Sequence, residues 1–259
     1  MKPAVGIIGV GQMGGAIARG LLKQQPSPVK KLYLSDKNQE CLKPFLEQAE
    51  PVTSELLVKE ADVVIVAVKP HLVEEVIKEI APELTGKILV SVAAGVSLKK
   101  IAGWGVPAEC EVVRVMPNTP ALIGQGFIAI TPSKVDELLA NIFNSLGEVV
   151  FLEEKYFDHI TALSGSGPAY IYLVAEALID GAVRLGLPRD VARKAVVQTL
   201  IGAGTMLKET QEHPGILRDA VVTPGGTTAA GLYQLEKQGI RGMFADCLEK
   251  AYERAKNLT

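Results

Sequence analysis

Two adjacent glycines and two threonines, Gly225-Gly226-Thr227-Thr228, interrupt helical spacing in VTPGGTTAAGLYQLE (222–236). Between 222 and 228 there is no histidine, lysine or carboxylate. Such a loop offers hydroxyls and bare backbone at a helix start but no strong acid or base. Helix N-termini attract anions, so Gly225 and Gly226 suit a carboxylate, and Thr223, Thr227 and Thr228 add hydroxyls around it. The plainer reading is a threonine N-cap after a glycine-rich turn.

A second constellation lies at the other end of the chain. GVGQMGG begins at residue 9, and Gly9, Gly11 and Gly14 complete GxGxxG directly after an apolar run. That spacing permits a tight turn, a close backbone approach to pyrophosphate, and a helix packed against its strand. After the next β-branched run comes Ser35-Asp36-Lys37. Asp36 can accept from a ribose 2′-hydroxyl, which implies NAD; Ser35 and Lys37 can instead hold a 2′-phosphate, which implies NADP. With Asp36 just past the strand and turned away, NADP is the reading preferred. VKP (68–70) and AAG (93–95) close two further runs, where open α/β sheets bind ligands, although Lys69 also suits a solvent-facing strand terminator. In RVMPNTP (114–120), two prolines bracket Asn118 and Thr119. This is a rigid loop, either a nicotinamide wall or a structural turn, in which either proline can be cis.

These residues need elements to position them. Seven runs read as strands: 4–9, 31–35, 61–68, 87–93, 111–116, 127–130 and 148–152. Several are apolar throughout, as parallel strands buried on both faces must be. Helical stretches alternate with them, which predicts a doubly wound α/β sheet over 1–153. From 154 to 259 only helical spacing remains, with Pro188 and Pro214 suited to first turns and Gly186 and Gly239 to helix ends. The helices around 170–206 are apolar over wide faces, which predicts burial against a second copy; packing on the sheet domain is the alternative.

Composition narrows the function. Of 259 residues, 27 Lys and Arg balance 29 Asp and Glu, so nothing electrostatic points to nucleic acid or an acidic membrane. Cys41, Cys110 and Cys247 are scattered and odd in number, as reduced cytoplasmic thiols are, and no histidine spacing suits a metal. The start of the chain reads directly into a strand, which predicts no signal peptide, and no membrane span is expected. Glu176, Asp180 and Arg184 mark one face of the longest apolar helix as wet.

GVGQMG, AVKP, AAGVS, RVMPNTP, TALSGSGPAY (161–170) and VVTPGGTTAAGLYQLE (221–236) together resemble the pyrroline-5-carboxylate reductase family over essentially the whole chain. The resemblance implies reduction of 1-pyrroline-5-carboxylate to L-proline, the last step of proline synthesis, with NADPH or NADH as donor. It also implies a Rossmann domain followed by a helical domain that forms a homodimer, sometimes a larger ring. By position, Ile8, Gly9, Gly11, Gln12, Met13, Ser35, Ala67, Val68, Lys69, Pro70, Ala93, Ala94 and Gly95 match cofactor contacts, and Lys37 and Asn118 join them on the reading above. Thr227 and Thr228 match the substrate loop, Thr228 being the hydroxyl beside the substrate nitrogen and hence the catalytic candidate. Glu154 aligns with a substrate-associated glutamate. Ser54 and Ala220 stand where some members carry asparagines near the cofactor, which leaves the choice between NADPH and NADH open. No metal is implied.

The loop then makes chemical sense. A cyclic imine carries a proton near neutral pH, and an iminium already attracts hydride, so no strong general acid is needed. The protein must hold the ring carbon and grip the carboxylate. Two rivals remain. A β-hydroxyacid dehydrogenase also follows GxGxMG with helices but needs a lysine base, and Ile171 stands where GxGxxxK would place it. A non-catalytic dinucleotide-binding regulator would keep GVGQMG with no reason for the threonine loop.

Overall fold

The computed structural model describes residues 2–258 and divides the chain into two compact units, residues 2–166 with 251–258, and residues 167–250. The first is built on an eight-stranded sheet: β1 (Ala4–Ile8), β2 (Lys31–Ser35), β3 (Glu50–Pro51), β4 (Val63–Val66), β5 (Ile88–Ser91), β6 (Glu111–Met116), β7 (Gly126–Ile130) and β8 (Gly147–Phe151). Its order is β3-β2-β1-β4-β5-β6-β7-β8, with the first six strands parallel. The chain therefore switches direction across the sheet between β1 and β4, where doubly wound sheets open a ligand crevice.

The continuous apolar runs are explained by two cores, one on each face. Because alternate strand residues point to opposite faces, Ile7, Ile65 and Val90 pack with α1 (Gln12–Lys23) and α5 (Asp136–Phe143). Ile8, Val64, Val66 and Leu89 pack on the other face with α2 (Ser54–Glu60), α3 (Val73–Ile80) and α4 (Leu98–Ala102). Ile7, Ile17, Leu57, Ile65, Ile77 and Phe143 are fully buried. Each such side chain contributes about 1.5–3 kcal/mol from apolar burial.

Two features of the sheet depart from the sequence expectation. The two-residue edge strand β3 pairs with β2 but is too short to give a periodic signal. β7 runs antiparallel to β6, because the residues between them form only a 3₁₀ turn, Thr119–Ile123, too short a connection for a parallel crossover. The proline expectation also changes: among the described residues the cis peptide is Gln25–Pro26, not one before Pro117 or Pro120.

Residues 154–166, placed with the helical domain by sequence, join the sheet unit in the structure. Here α6 (Phe157–Ile160) runs into a π-helical turn, Thr161–Gly165. The anchor is Phe157, fully buried against Met116 and Ala129.

The second unit holds α7 (Gly167–Arg184), α8 (Arg189–Thr210), α9 (Pro214–Ala220), α10 (Thr227–Lys237) and most of α11 (Ile240–Lys256). Pro214 opens α9 as expected, but Pro188 is the N-cap of α8 and lies one residue outside it. Among the described residues of this unit only Ala192 is buried. Tyr172, Leu173, Ile201, Met206 and Tyr233 are more than half exposed. The helical run Glu154–Arg184 is, contrary to the sequence expectation, long and apolar enough at 31 residues to cross a membrane by length and composition alone.

Candidate active site

One group of candidate residues lies at the carboxyl ends of β1, β2, β4 and β5. Gly9 follows β1 with φ +91°, a conformation that favours glycine. A Cβ on Gly14 would stand 1.9 Å from the Gly9 carbonyl oxygen, so glycine is required for α1 to approach the turn. A Cβ on Gly11 would meet nothing within 4 Å. Gly11 is also the N-cap of α1 with no side-chain cap, and the first turn of α1 has no acidic residue. The first-turn N–H groups of Gln12 and Met13 thus have no side-chain cap and the positive end of the helix dipole behind them, a fit for a pyrophosphate.

Asp36 stands just past β2, as expected, but with a definite task. Its Oδ2 accepts from the Val10 N–H at 2.6 Å and its Oδ1 from the Asn38 N–H at 2.7 Å. The carboxylate thus braces the glycine turn. Beside it, the buried Ser35 hydroxyl lies 3.1 Å from that of Ser54, a pair of small polar groups at the end of β2. Lys37 is exposed and pairs with Glu75 at 3.2 Å.

At the ends of β4 and β5, Ala67 and Val68 are half-buried, Lys69 and Pro70 are exposed, and Ala93, Ala94 and Gly95 form a largely buried turn with Gly95 at φ +74°. Lys69 caps a short 3₁₀ turn through its backbone position only. Asn118 is already committed within the protein. Its amide donates to Ser164 Oγ at 3.1 Å, and its Oδ1 accepts from the Phe127 N–H at 3.0 Å. It ties the proline-bracketed loop to β7 and to the π-helical turn.

Glu154, expected beside the substrate, lies in the sheet unit. Its Oε1 accepts from Arg114 Nη1 at 2.9 Å and from the Leu98 N–H at 2.7 Å. Sequence reasoning passed over Arg114, although an arginine in the apolar run EVVRVM is itself a signal, since a buried charge needs a partner.

A separate group of candidate residues is the loop before α10, in the helical unit. Gly225 has φ +69°. The Gly226 N–H donates to the Thr223 carbonyl at 2.9 Å, closing the turn. Gly226 is the N-cap of α10, with no side-chain cap and no acidic residue in the first turn. A Cβ there would fall 2.3 Å from Thr223 Oγ1. The threonine N-cap reading is therefore replaced: Thr227 and Thr228 are the first two helical residues, and neither hydroxyl caps the helix. The loop presents backbone N–H groups and two hydroxyls, and 222–228 contains no ionisable side chain. No group of histidine, cysteine and carboxylate side chains suited to a metal occurs among the described residues.

Comparison with known proteins covers both groups. Residues 154–258 match the family model for the pyrroline-5-carboxylate reductase dimerisation domain, and residues 4–95 match that for NADP oxidoreductase, coenzyme F420-dependent. A pyrroline-5-carboxylate reductase of Glycine max is 41% identical over 98% of this chain and 96% of its own length. The crystal structure of the Plasmodium falciparum pyrroline carboxylate reductase with NADP bound has a TM-score of 0.86 and 34% identity, over 100% of this chain and 99% of that one. The Coxiella burnetii pyrroline-5-carboxylate reductase reaches 0.92 at 32% identity, over 100% and 99%. An archaeal ketol-acid reductoisomerase at 18% identity and a TM-score of 0.65 shares the fold alone.

Proposed function

The chain belongs to the pyrroline-5-carboxylate reductase family, and from that premise we propose that it reduces 1-pyrroline-5-carboxylate to L-proline, the last step of proline biosynthesis. The observation that carries the reading is the uncapped start of α10, where backbone N–H groups and the Thr227 and Thr228 hydroxyls meet without an acid or base.

A bound reduced nicotinamide supplies the hydride. The backbone at Gly225 and Gly226 grips the substrate carboxylate through N–H groups and the helix dipole. Thr228 Oγ accepts from the protonated ring nitrogen, fixing the C=N bond so that its carbon presents one face to the donor. With Thr228 holding the ring nitrogen, that nitrogen would keep its proton as the C=N bond is reduced to a secondary amine, so no side chain needs to donate one. Since the substrate arrives already electrophilic, orientation is the protein's main contribution.

NADPH is the preferred donor on this reading, with NADH accepted. Support comes from Asp36, whose two oxygens are taken by Val10 and Asn38. It comes too from the Ser35–Ser54 hydroxyl pair at the end of β2, which suits a 2′-phosphate. The working form is a cytoplasmic homodimer that closes the bare helical faces, without a nucleic-acid or membrane partner. The match of 154–258 to a dimerisation domain supports that closure, and the exposed Glu176, Asp180 and Arg184 on α7 support the absence of a membrane partner.

The deciding experiment follows NADPH oxidation with pyrroline-5-carboxylate, with a β-hydroxyacid and NADP, and without substrate. Turnover with the imine alone is expected; oxidation of the hydroxyacid, or no turnover with either, overturns the reading.

A further inference from the structure

Among the described residues of the sheet unit, Arg114 and Glu154 form a pair that removes a guanidinium almost wholly from water. Arg114 is 4% exposed, and its partner's side chain is 30% exposed. The guanidinium carbon lies 5.0 Å from the centre of the Phe157 ring, and Arg114 Nη2 is buried with no hydrogen-bond partner. Burying a charge this way is costly, and it stabilises little that a well-packed apolar pair would not. What the pair accomplishes is local. The same Oε1 that meets Arg114 at 2.9 Å takes the Leu98 N–H at 2.7 Å. Leu98 is the first residue of α4, three residues after Gly95 of the Ala93–Gly95 turn. The other side of this turn is also packed: a Cβ on Gly95 would lie 2.9 Å from the Leu258 Cβ.

We infer that Glu154 is a positioning residue for the Ala93–Gly95 cofactor turn, holding the segment just after it through the Leu98 N–H while Arg114 fixes the carboxylate. The assignment rests on the reading of Ala93–Gly95 as cofactor-binding. It gives Glu154 a role in cofactor affinity without contact to cofactor or substrate.

The test is a fluorescence titration of full-length protein with NADPH, each variant measured relative to wild type. Leu98→Pro deletes the N–H together with the leucine side chain, at a first helical position where proline is tolerated and after Ser97, whose extended backbone suits a following proline. Leu98→Ala, which removes the side chain but keeps the N–H, is the reference against which it is read. Both leave the ion pair whole. The expected result, relative to Leu98→Ala, is an NADPH dissociation constant raised about tenfold in a protein that circular dichroism shows to be folded. Glu154→Gln keeps an acceptor for Leu98 and is expected to restore most of the affinity that Glu154→Ala loses. A dissociation constant in Leu98→Pro equal to that of Leu98→Ala overturns the inference, even if Glu154→Ala fails to fold. A wild-type protein that binds NADPH but does not reduce the imine would instead overturn the functional reading and leave the positioning role standing.

Discussion

The two compact units solve the burial problem in opposite ways. The sheet unit is complete in itself, with fully buried side chains from Val5 to Phe157 and a separate core on each face. The helical unit is long in helix and nearly empty of core, with Ala192 its one buried residue among those described. A parallel sheet flanked by helices covers both its faces within one chain. A set of helices with apolar residues on wide faces cannot, and such faces mark association surfaces. The difference teaches that the sheet unit draws its rigidity from its own packing, while the helical unit leaves wide apolar faces uncovered within the chain.

The comparison breaks most readily at the bare faces. Combining Leu173→Glu with Met206→Glu places charges where the residues are 66% and 52% exposed. Dimer dissociation should strengthen on the order of 10³-fold, about 4 kcal/mol for two lost apolar anchors, with activity lost in parallel. Light scattering after gel filtration reads this directly, and a double variant that stays dimeric and active would remove these faces from the assembly.

Next in size, Thr228→Ala should lower kcat on the order of 10²-fold, as loss of a transition-state hydrogen bond does, while the NADPH dissociation constant holds. Purified variant with wild-type kcat would take Thr228 out of the reaction.

The mirror experiment is Gly14→Ala. The Cβ contact at 1.9 Å forces α1 away from the Gly9 turn, so NADPH affinity should fall and stability should drop by about 1–3 kcal/mol. Thermal melting with and without NADPH separates the two effects, and an unshifted melting curve would contradict the packing described.

The smallest effect concerns the sealed core. Burial pushes the Cys110 thiol up to about 11, so in the folded protein it stays protonated where an unfolded chain's thiol ionises. The unfolded state then binds fewer protons, and the Cys110 contribution to stability declines as pH rises from about 9 towards 11. Iodoacetamide labelling at pH 8 should leave Cys110 unmodified until the protein is denatured; rapid labelling of the native protein would refute its burial.

Much of the fold was legible because burial on two faces writes itself as uninterrupted Val and Ile, as in ADVVIVAV, and because GxGxxG has a steric reason at each glycine. The antiparallel turn into β7 was not legible, since a strand's direction depends on the length of its connection and not on its own residues. At the site, the glycine turn and the threonine loop could be read from residue types alone. The tasks of Asp36, Asn118 and Glu154 could not, because each polar side chain is satisfied by a group 9 to 56 positions away. A carboxylate near a ligand loop and a carboxylate bracing one look alike in one dimension.

Helix α11 starts in one unit and finishes in the other. Its last turns give the sheet unit the Tyr252 ring, stacked 4.3 Å from His159, together with the buried Ala255 and, beyond them, Leu258 beside Gly95. A gene fragment stopped at residue 166 would therefore yield a nucleotide-binding half with one wall missing. Anyone wishing to graft that half elsewhere would have to supply the final eight described residues as a separate peptide or splice them on by permutation.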